Sequence, residues 1–262
     1  MVLQRTYTNA SLKNIAYFTM LIDHIFAALF YPYLQILSEH PASLKYQRAY
    51  SLYSAGRSIG RLSFVLFAFL LVEGFFHTRS RVRYLLQLFV FALISEVPFD
   101  LAFDHVPVSW GHQNIYFTLL LGLVAIWAME KWKDKKGLGY LSVILCCVIA
   151  YLGKTDYKCM GVLLIVAFYY FRFDMKKMFI AAGVAMFGGM MISYMLTYLP
   201  QGYSVMDCVN GTLSEMFGCL SFLFIESYNG KRGKHMPKMV AYLFYPVHLS
   251  VLFMIGKMMH LF

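Results

Sequence analysis

Acidic, basic and imidazole side chains stand in the middle of long apolar runs of this sequence. Asp23 and His24 fall within the run 12–36, Arg57 and Arg61 within 52–76, and Glu96 within 82–103. Glu215 falls within 207–228 and His248 within 238–260. A charged side chain at the centre of a bilayer costs roughly 2.5–3.5 kcal/mol even on a lenient insertion scale. Several at similar depth point to a polar chamber inside a helical bundle, where they pair and serve chemistry or transport. Histidine titrates near neutral pH and can act as a general base. Arginine can hold a developing oxyanion or an acidic acceptor.

Helical rise converts position into depth. Asp23, His24 and His248 lie at the centres of their runs, near the membrane midplane. Arg61 lies about 5 Å to the outer side, and Glu96 and Glu215 fall at nearly the same level. Arg57 is one turn further out and shares the face of Arg61, because residues four apart align on a helix. Arg61 and Glu96, on consecutive antiparallel spans, are the expected ion pair. His24, Asp23, Arg61, Glu96 and His248 are the catalytic candidates. Asp23 diverges from His24 by about 100° around the helix, so a partner from another helix, Glu96 or Glu215, is expected to fix the His24 tautomer. Asn114 and Thr118 open a further run on the outer side. With Asp100 and Glu215 they are the candidates for binding the substrate.

The elements that must position these residues are read from composition. The chain is 60% hydrophobic and 14% charged, with 18% aromatic residues. Soluble domains average about 45–50% apolar and 25% charged. The expectation is an all-α integral membrane protein, one domain over residues 1–262, built as a bundle of about nine transmembrane helices. The spans are 12–36, 52–76, 82–103, 113–130, 138–153, 158–172, 177–199, 207–228 and 238–260. The runs are too long and too unalternating for a β-barrel. The first run lacks a short apolar core ending at a small-residue cleavage site, and reads as a retained helix.

The formal net charge of +10 invites a nucleic-acid partner, but its distribution argues against one. Arg5, Lys13 and the segments 79–83, 131–136, 172–177 and 231–238 hold sixteen of the 23 Lys and Arg, all on one side of the predicted topology. The positive-inside rule then places the N-terminus in the cytoplasm and the C-terminus outside. Gly56 and Gly60, Ala181, Ala185 and Gly189, and Ser214 and Gly218 are spaced four apart, as in close helix contacts. The five cysteines lack metal-ligand spacing and read as packing thiols, so no metal is expected. No inverted repeat of the transporter kind stands out.

At these residues the sequence resembles the TraX family. The matching stretches are Thr19-Met20-Leu21-Ile22-Asp23-His24, Ile59-Gly60-Arg61-Leu62-Ser63-Phe64, and Phe69 to Gly74 with its Glu73. They continue with Ala92 to Asp100, Asn114-Ile115-Tyr116-Phe117-Thr118 and Tyr245-Pro246-Val247-His248-Leu249. The family takes its name from a conjugation protein that acetylates the pilin N-terminus. The resemblance thus implies an acetyl-CoA-dependent membrane acyltransferase in the bacterial inner membrane, related to wider transmembrane acyltransferase groups. In one of these an arginine precedes the essential histidine by ten intervening residues, and here Lys13 stands in that position before His24. The resemblance implies acetyl-CoA as donor, with Lys13, Arg57, Arg79, Arg81, Arg83, Lys131 and Lys133 as candidates for its phosphates. It implies a peptide N-terminus, glycan or lipid as acceptor. A proton-coupled transporter or flippase using the same buried charges is the competing expectation, and membrane lipids are the surroundings in either case.

In a cysteine-free background, single cysteines at Ser80, Asp134 and Gly233 should label only from the cytoplasm, and those at His40 and Tyr203 from outside. External labelling at Asp134 in intact cells would overturn the orientation.

Overall fold

Leu44–His77 is a 34-residue helix, about 51 Å long, and helices from both halves of the chain pack against it. The computed structural model describes residues 5–234 and 236–262. Each apolar run forms a helical segment. In order these are α1 (Asn9–Leu37), α2 (Leu44–His77), α3 (Arg81–Phe103), α4 (Ile115–Lys131), α5 (Lys136–Leu152), α6 (Lys158–Tyr170), α7 (Met175–Gln201), α8 (Val205–Glu226) and α9 (Lys238–Met258). Among the described residues there are no strands beyond two isolated bridges, Tyr7–Tyr228 and Gln113–Thr155. The protein is all-helical, and several of its helices suit a multi-pass membrane protein. Six of them, α1, α2, α3, α7, α8 and α9, are long and apolar enough to cross a bilayer. α4 and α5 have 17 residues each and α6 has 13. At 1.5 Å per residue α6 rises only about 20 Å, short of a hydrocarbon core of about 30 Å.

The helix starts are written locally. Thr8, Ser43, Ser80, Asn114, Asp174 and Ser204 each accept a hydrogen bond from a backbone N–H of the following first turn. Such caps satisfy donors that have no partner inside the helix. Beyond its cap, α1 receives help from a distant segment. Asn9 N–H donates to the Lys231 carbonyl at 2.9 Å and Ala10 N–H to Arg232 at 3.1 Å. Tyr7 is bonded to Ser227 and Asn229. The Tyr228 hydroxyl donates to Glu73 on α2. Arg81 lies 4.4 Å over the Phe75 ring, and Arg172 lies 3.5 Å over that of Phe76. This chain of contacts gathers the basic connecting segments at one end of the bundle. At the other end, Gln113 N–H donates to the Lys154 carbonyl at 3.0 Å.

Inside, Val65, Leu66, Ala68, Val72 and Phe75 of α2 are almost wholly inaccessible. Close approach to this helix is made by glycine. A side chain at Gly56 would collide with the Phe26 ring, and one at Gly60 with the Asp23 carboxyl. At Gly218 a Cβ would stand 3.0 Å from the Arg61 carbonyl of α2. Three departures from regular helix lie beside the buried polar residues. In α1, Phe26–Phe30 forms a π-helical turn in which Tyr31 N–H bonds the Phe26 carbonyl, just before Pro32. Pro32 has no N–H to give, so the ladder shifts register ahead of it. In α8, Met216–Leu220 tightens to a 3-10 helix immediately after Glu215, and the Ser221 hydroxyl then donates to the Leu62 carbonyl at 2.9 Å. In α9, Pro246 leaves the Tyr242 carbonyl without its helical donor, and the Tyr116 hydroxyl of α4 supplies one at 3.2 Å.

Replacing Gly60 with Val should lower stability by about 1–3 kcal/mol, because the α1–α2 contact is overfilled. Gly183→Ala, where an added methyl meets nothing within 4 Å, should be neutral or stabilising by up to about 1 kcal/mol. Detergent-melting curves of the two variants check the contrast.

Candidate functional site

α2 carries two arginines on one face, and each meets a carboxylate from a different helix. Arg57 Nη1 lies 2.7 Å from Asp23 Oδ2 of α1, and also reaches the Asp23 carbonyl at 3.5 Å. Arg61 Nη2 lies 2.9 Å from Glu215 Oε1 of α8, which also accepts from the Tyr194 hydroxyl of α7 at 3.2 Å. The Glu215 side chain is only 5% exposed. The expected Arg61–Glu96 pair is therefore not formed. α2 and α3 follow one another in the chain but do not pack along each other, since α3 lies on α4 and α9; Arg61 faces α8, where Gly218 and the 3-10 turn let the backbone come close enough for Glu215 to reach it.

Glu96 is satisfied instead by the start of α4. Its Oε2 accepts from both the backbone N–H of Asn114, at 3.3 Å, and the Asn114 side-chain amide. The same amide donates to the Ala92 carbonyl at 2.8 Å, while Asn114 Oδ1 caps α4 by accepting from Tyr116 N–H. Asn114, wholly buried, is thus a clamp between α3 and α4. Asp100 is also buried, and its Oδ2 accepts from Ser109 N–H at 2.8 Å, closing the connection that follows α3. Asp23 Oδ1, Glu96 Oε1, Asp100 Oδ1 and the hydroxyls of Ser95 and Thr118 are buried without a protein partner.

The two midplane histidines meet directly. His24 Nδ1 and His248 Nε2 are 2.6 Å apart, with nearly parallel rings. His248 Nδ1–H donates to the Phe244 carbonyl at 2.6 Å. In a pair of neutral imidazoles this bonding assigns every proton. His248 carries its hydrogen on Nδ1, so its Nε2 accepts from His24 Nδ1–H, and His24 Nε2 is left with its lone pair free. Hydrogen bonding of one ring nitrogen sets the tautomer of the other. The expected tautomer partners, Glu96 and Glu215, do not serve, because the first is held by Asn114 and the second by Arg61. Phe103 and Tyr245 present ring edges to His24 at 5.5 and 5.7 Å between centroids.

The structure brings together His24 with His248, Arg57 with Asp23, Arg61 with Glu215, and Glu96 with Asn114. It does not gather the cationic candidates into one site. Lys13 is half-buried in α1, near Arg232 and Lys238, and about 16 Å along the helix from His24. Arg81 rests on Phe75, Lys131 lies by Trp132, and Arg83 borders a separate shallow recess with Leu86 and Phe91. No contact defines a role for Arg79. Sequence reading missed the phenols of Tyr194 and Tyr116, and the role of the Phe244 carbonyl. Pro246, two residues before His248, was the available signal that carbonyls of α9 are put to side-chain use. It also missed the outer-end pair His112–Asp156, at 3.3 Å. Among the described residues, no group of three or more His, Cys, Asp or Glu side chains converges as a metal would require.

These features define a helical membrane protein with two buried ion pairs and a histidine dyad inside its bundle. The chain belongs to the TraX family, whose TraX protein model matches residues 8–256. It is also similar to a probable fimbrial assembly protein FimC, serogroup H1, of Dichelobacter nodosus. That relative is 28% identical over 209 residues, which cover 76% of this chain and 82% of the relative. No solved structure matches the chain.

Arg61→Met should cost about 3–5 kcal/mol by stranding the buried Glu215 carboxylate. Adding Glu215→Leu should recover part of that loss, whereas Arg61→Met with Glu96→Gln should be additive within about 0.5 kcal/mol. A double-mutant cycle in thermal or denaturant melting decides between the partners.

The outer pair yields a pH signature. Burial pulls the His112 pKa down, but the hydrogen bond and charge of Asp156, with Asp104 nearby, outweigh it and hold the pKa above its usual 6.5. A raised folded value means that the contribution to stability is fully present below pH 6.5 and is lost as pH rises through the folded pKa. Melting of the protein across this window should show that fall, and His112→Gln should remove it.

Proposed function

We propose that this protein is a membrane-embedded acyltransferase that moves an acetyl group from acetyl-CoA to an amine or hydroxyl acceptor, with His24 as general base. The observation that carries the reading is the His24–His248–Phe244 relay, which leaves one imidazole lone pair free, oriented and away from bulk water. In the proposed reaction the acceptor nitrogen or oxygen attacks the thioester carbonyl carbon. The new bond forms as His24 Nε2 takes the acceptor proton. The tetrahedral oxyanion then collapses, the carbon–sulfur bond breaks, and the proton passes from His24 to the departing thiolate. His248 is a positioning residue in this scheme. Arg57, one turn from Arg61 and beside Asp23, is the nearest cationic group for the oxyanion.

Membership of the TraX family and the motif residues Asp23, His24, Arg61, Glu96 and His248 support the reading, because the family resemblance implies acetyl transfer. The fimbrial assembly name of the relative makes the N-terminal amine of a surface-fibre subunit the first acceptor to try, ahead of a glycan or lipid. The topology proposed with it has nine crossings of a bacterial inner membrane and the basic end in the cytoplasm, where acetyl-CoA is found.

Purified protein with acetyl-CoA should release free thiol slowly, and faster with an amine-bearing peptide. His24→Ala should lower that rate by roughly 10²–10⁴ while leaving melting intact. His248→Ala should lower kcat more than it raises KM, and should shift the pH–rate profile. No thiol release from the wild-type protein removes the acyltransferase reading and leaves the buried charges to a transport role. Turnover that survives His24→Ala removes His24 as the base.

A further inference from the structure

The basic end of the bundle holds a recess of about 430 Å³ between the ends of α2, α4, α5 and α6. Pockets for small ligands begin near 300 Å³. Its cations are Arg172, Lys133 and Lys136, and its single carboxylate is Glu130. That carboxylate is already engaged, since the Tyr169 hydroxyl donates to it at 2.5 Å. None of the four ion pairs among the described residues uses Arg172, Lys133 or Lys136. Three cations against one carboxylate leave the recess with an excess of positive charge, and no carboxylate is paired with any of the three.

Arg172 is not free to wander. Its guanidinium lies 3.5 Å above the Phe76 ring and 4.7 Å from that of Phe173, and Phe76 in turn stacks parallel on Tyr169. Packing of the guanidinium face on a ring leaves its in-plane N–H groups available to a partner at the edge. A fixed fork of that kind suits a phosphate, which it can hold through two parallel hydrogen bonds. Trp132 and Tyr140 add broad apolar surface around the cations. Aromatic and basic residues are general at a membrane interface. Here, however, they converge on one concavity, with the arginine clamped and the only acid of the lining turned to a tyrosine hydroxyl.

We propose that this recess binds a phosphate ester, with its phosphate on Arg172, Lys133 and Lys136 and its flat or apolar body against Trp132 and Tyr140. Two sources carry that chemistry. One is the headgroup of an anionic phospholipid. The other is a soluble nucleotide, such as the adenosine phosphate end of the acyl donor, and this source alone rests on the function proposed above.

The test uses the full chain in phosphatidylcholine nanodiscs. Adenosine 3′,5′-bisphosphate is titrated in one arm, and phosphatidylglycerol replaces part of the lipid in the other. A ligand that binds only the folded protein raises its melting temperature, and at least one arm should show the rise. Lys133→Gln with Lys136→Gln, two exposed substitutions that leave folding intact, should weaken the effect about tenfold or more. Adding Arg172→Gln should abolish it, and Arg48→Gln at the opposite end should not alter it. A rise with the bisphosphate assigns a nucleotide, and a rise with phosphatidylglycerol alone assigns a headgroup. No rise in either arm, or a rise that survives loss of all three cations, overturns the site. Bisphosphate binding by a protein that releases no thiol from acetyl-CoA would sink the enzyme and keep the pocket.

Discussion

A guanidinium cannot be left unpaired in a hydrophobic bundle, and α2 places two there, one turn apart. The positions of α1 and α8 follow from that need. Asp23 must face Arg57, which sets the rotation of α1 and leaves room only for glycine at positions 56 and 60. Glu215 must reach Arg61, and α8 achieves this by dropping its own side chain at Gly218 and tightening its helix. Removing one partner of such a pair is far more damaging than replacing both. The pairs are therefore better understood as specifying which helices neighbour α2 than as a net source of stability.

The histidine dyad depends on the same economy of partners. Asp23, Glu96 and Glu215 are all committed elsewhere, so no carboxylate competes for His24. A backbone carbonyl and a second imidazole orient it instead, and neither brings a formal charge into the bundle. The difference matters for chemistry. A carboxylate partner would favour the imidazolium far more strongly than a carbonyl does, so the carbonyl-anchored relay fixes the tautomer without adding a formal charge.

Much of this was legible in the residues. Apolar run lengths placed the helices, because a bilayer imposes its thickness on the chain. Depth was legible too, since rise per residue is constant, and it put His24 and His248 at one level, where they bond. Which helices become neighbours was not. Arg61 and Glu96 stand on consecutive helices, yet α3 packs on α4 and α9 rather than along α2, and Arg61 meets Glu215 of α8. Asn114 was readable as the opening of the apolar run of α4 and as a substrate-binding candidate. That its remaining donors would hold Glu96 depends on how α3 and α4 lie together, which no local pattern encodes. The basic recess was hidden for a different reason. Lys133 was one phosphate candidate among many and Arg172 a topology signal, and only their convergence in space with Phe76 and Tyr169 distinguishes them.

The separation of partners along the chain carries a consequence for biogenesis. Asp23 and Arg57 are 34 residues apart, whereas His24 and His248 are 224 apart. A ribosome releasing helices in order delivers the counter-ion of Asp23 with the very next helix, so the acid is neutralised early. His24 must wait for α9. Of the common ionisable side chains, histidine endures that delay best, because it can rest uncharged in lipid. The dyad therefore comes into being only when the chain has been translated through α9, and a nascent or truncated product carries its Asp23–Arg57 pair without the dyad.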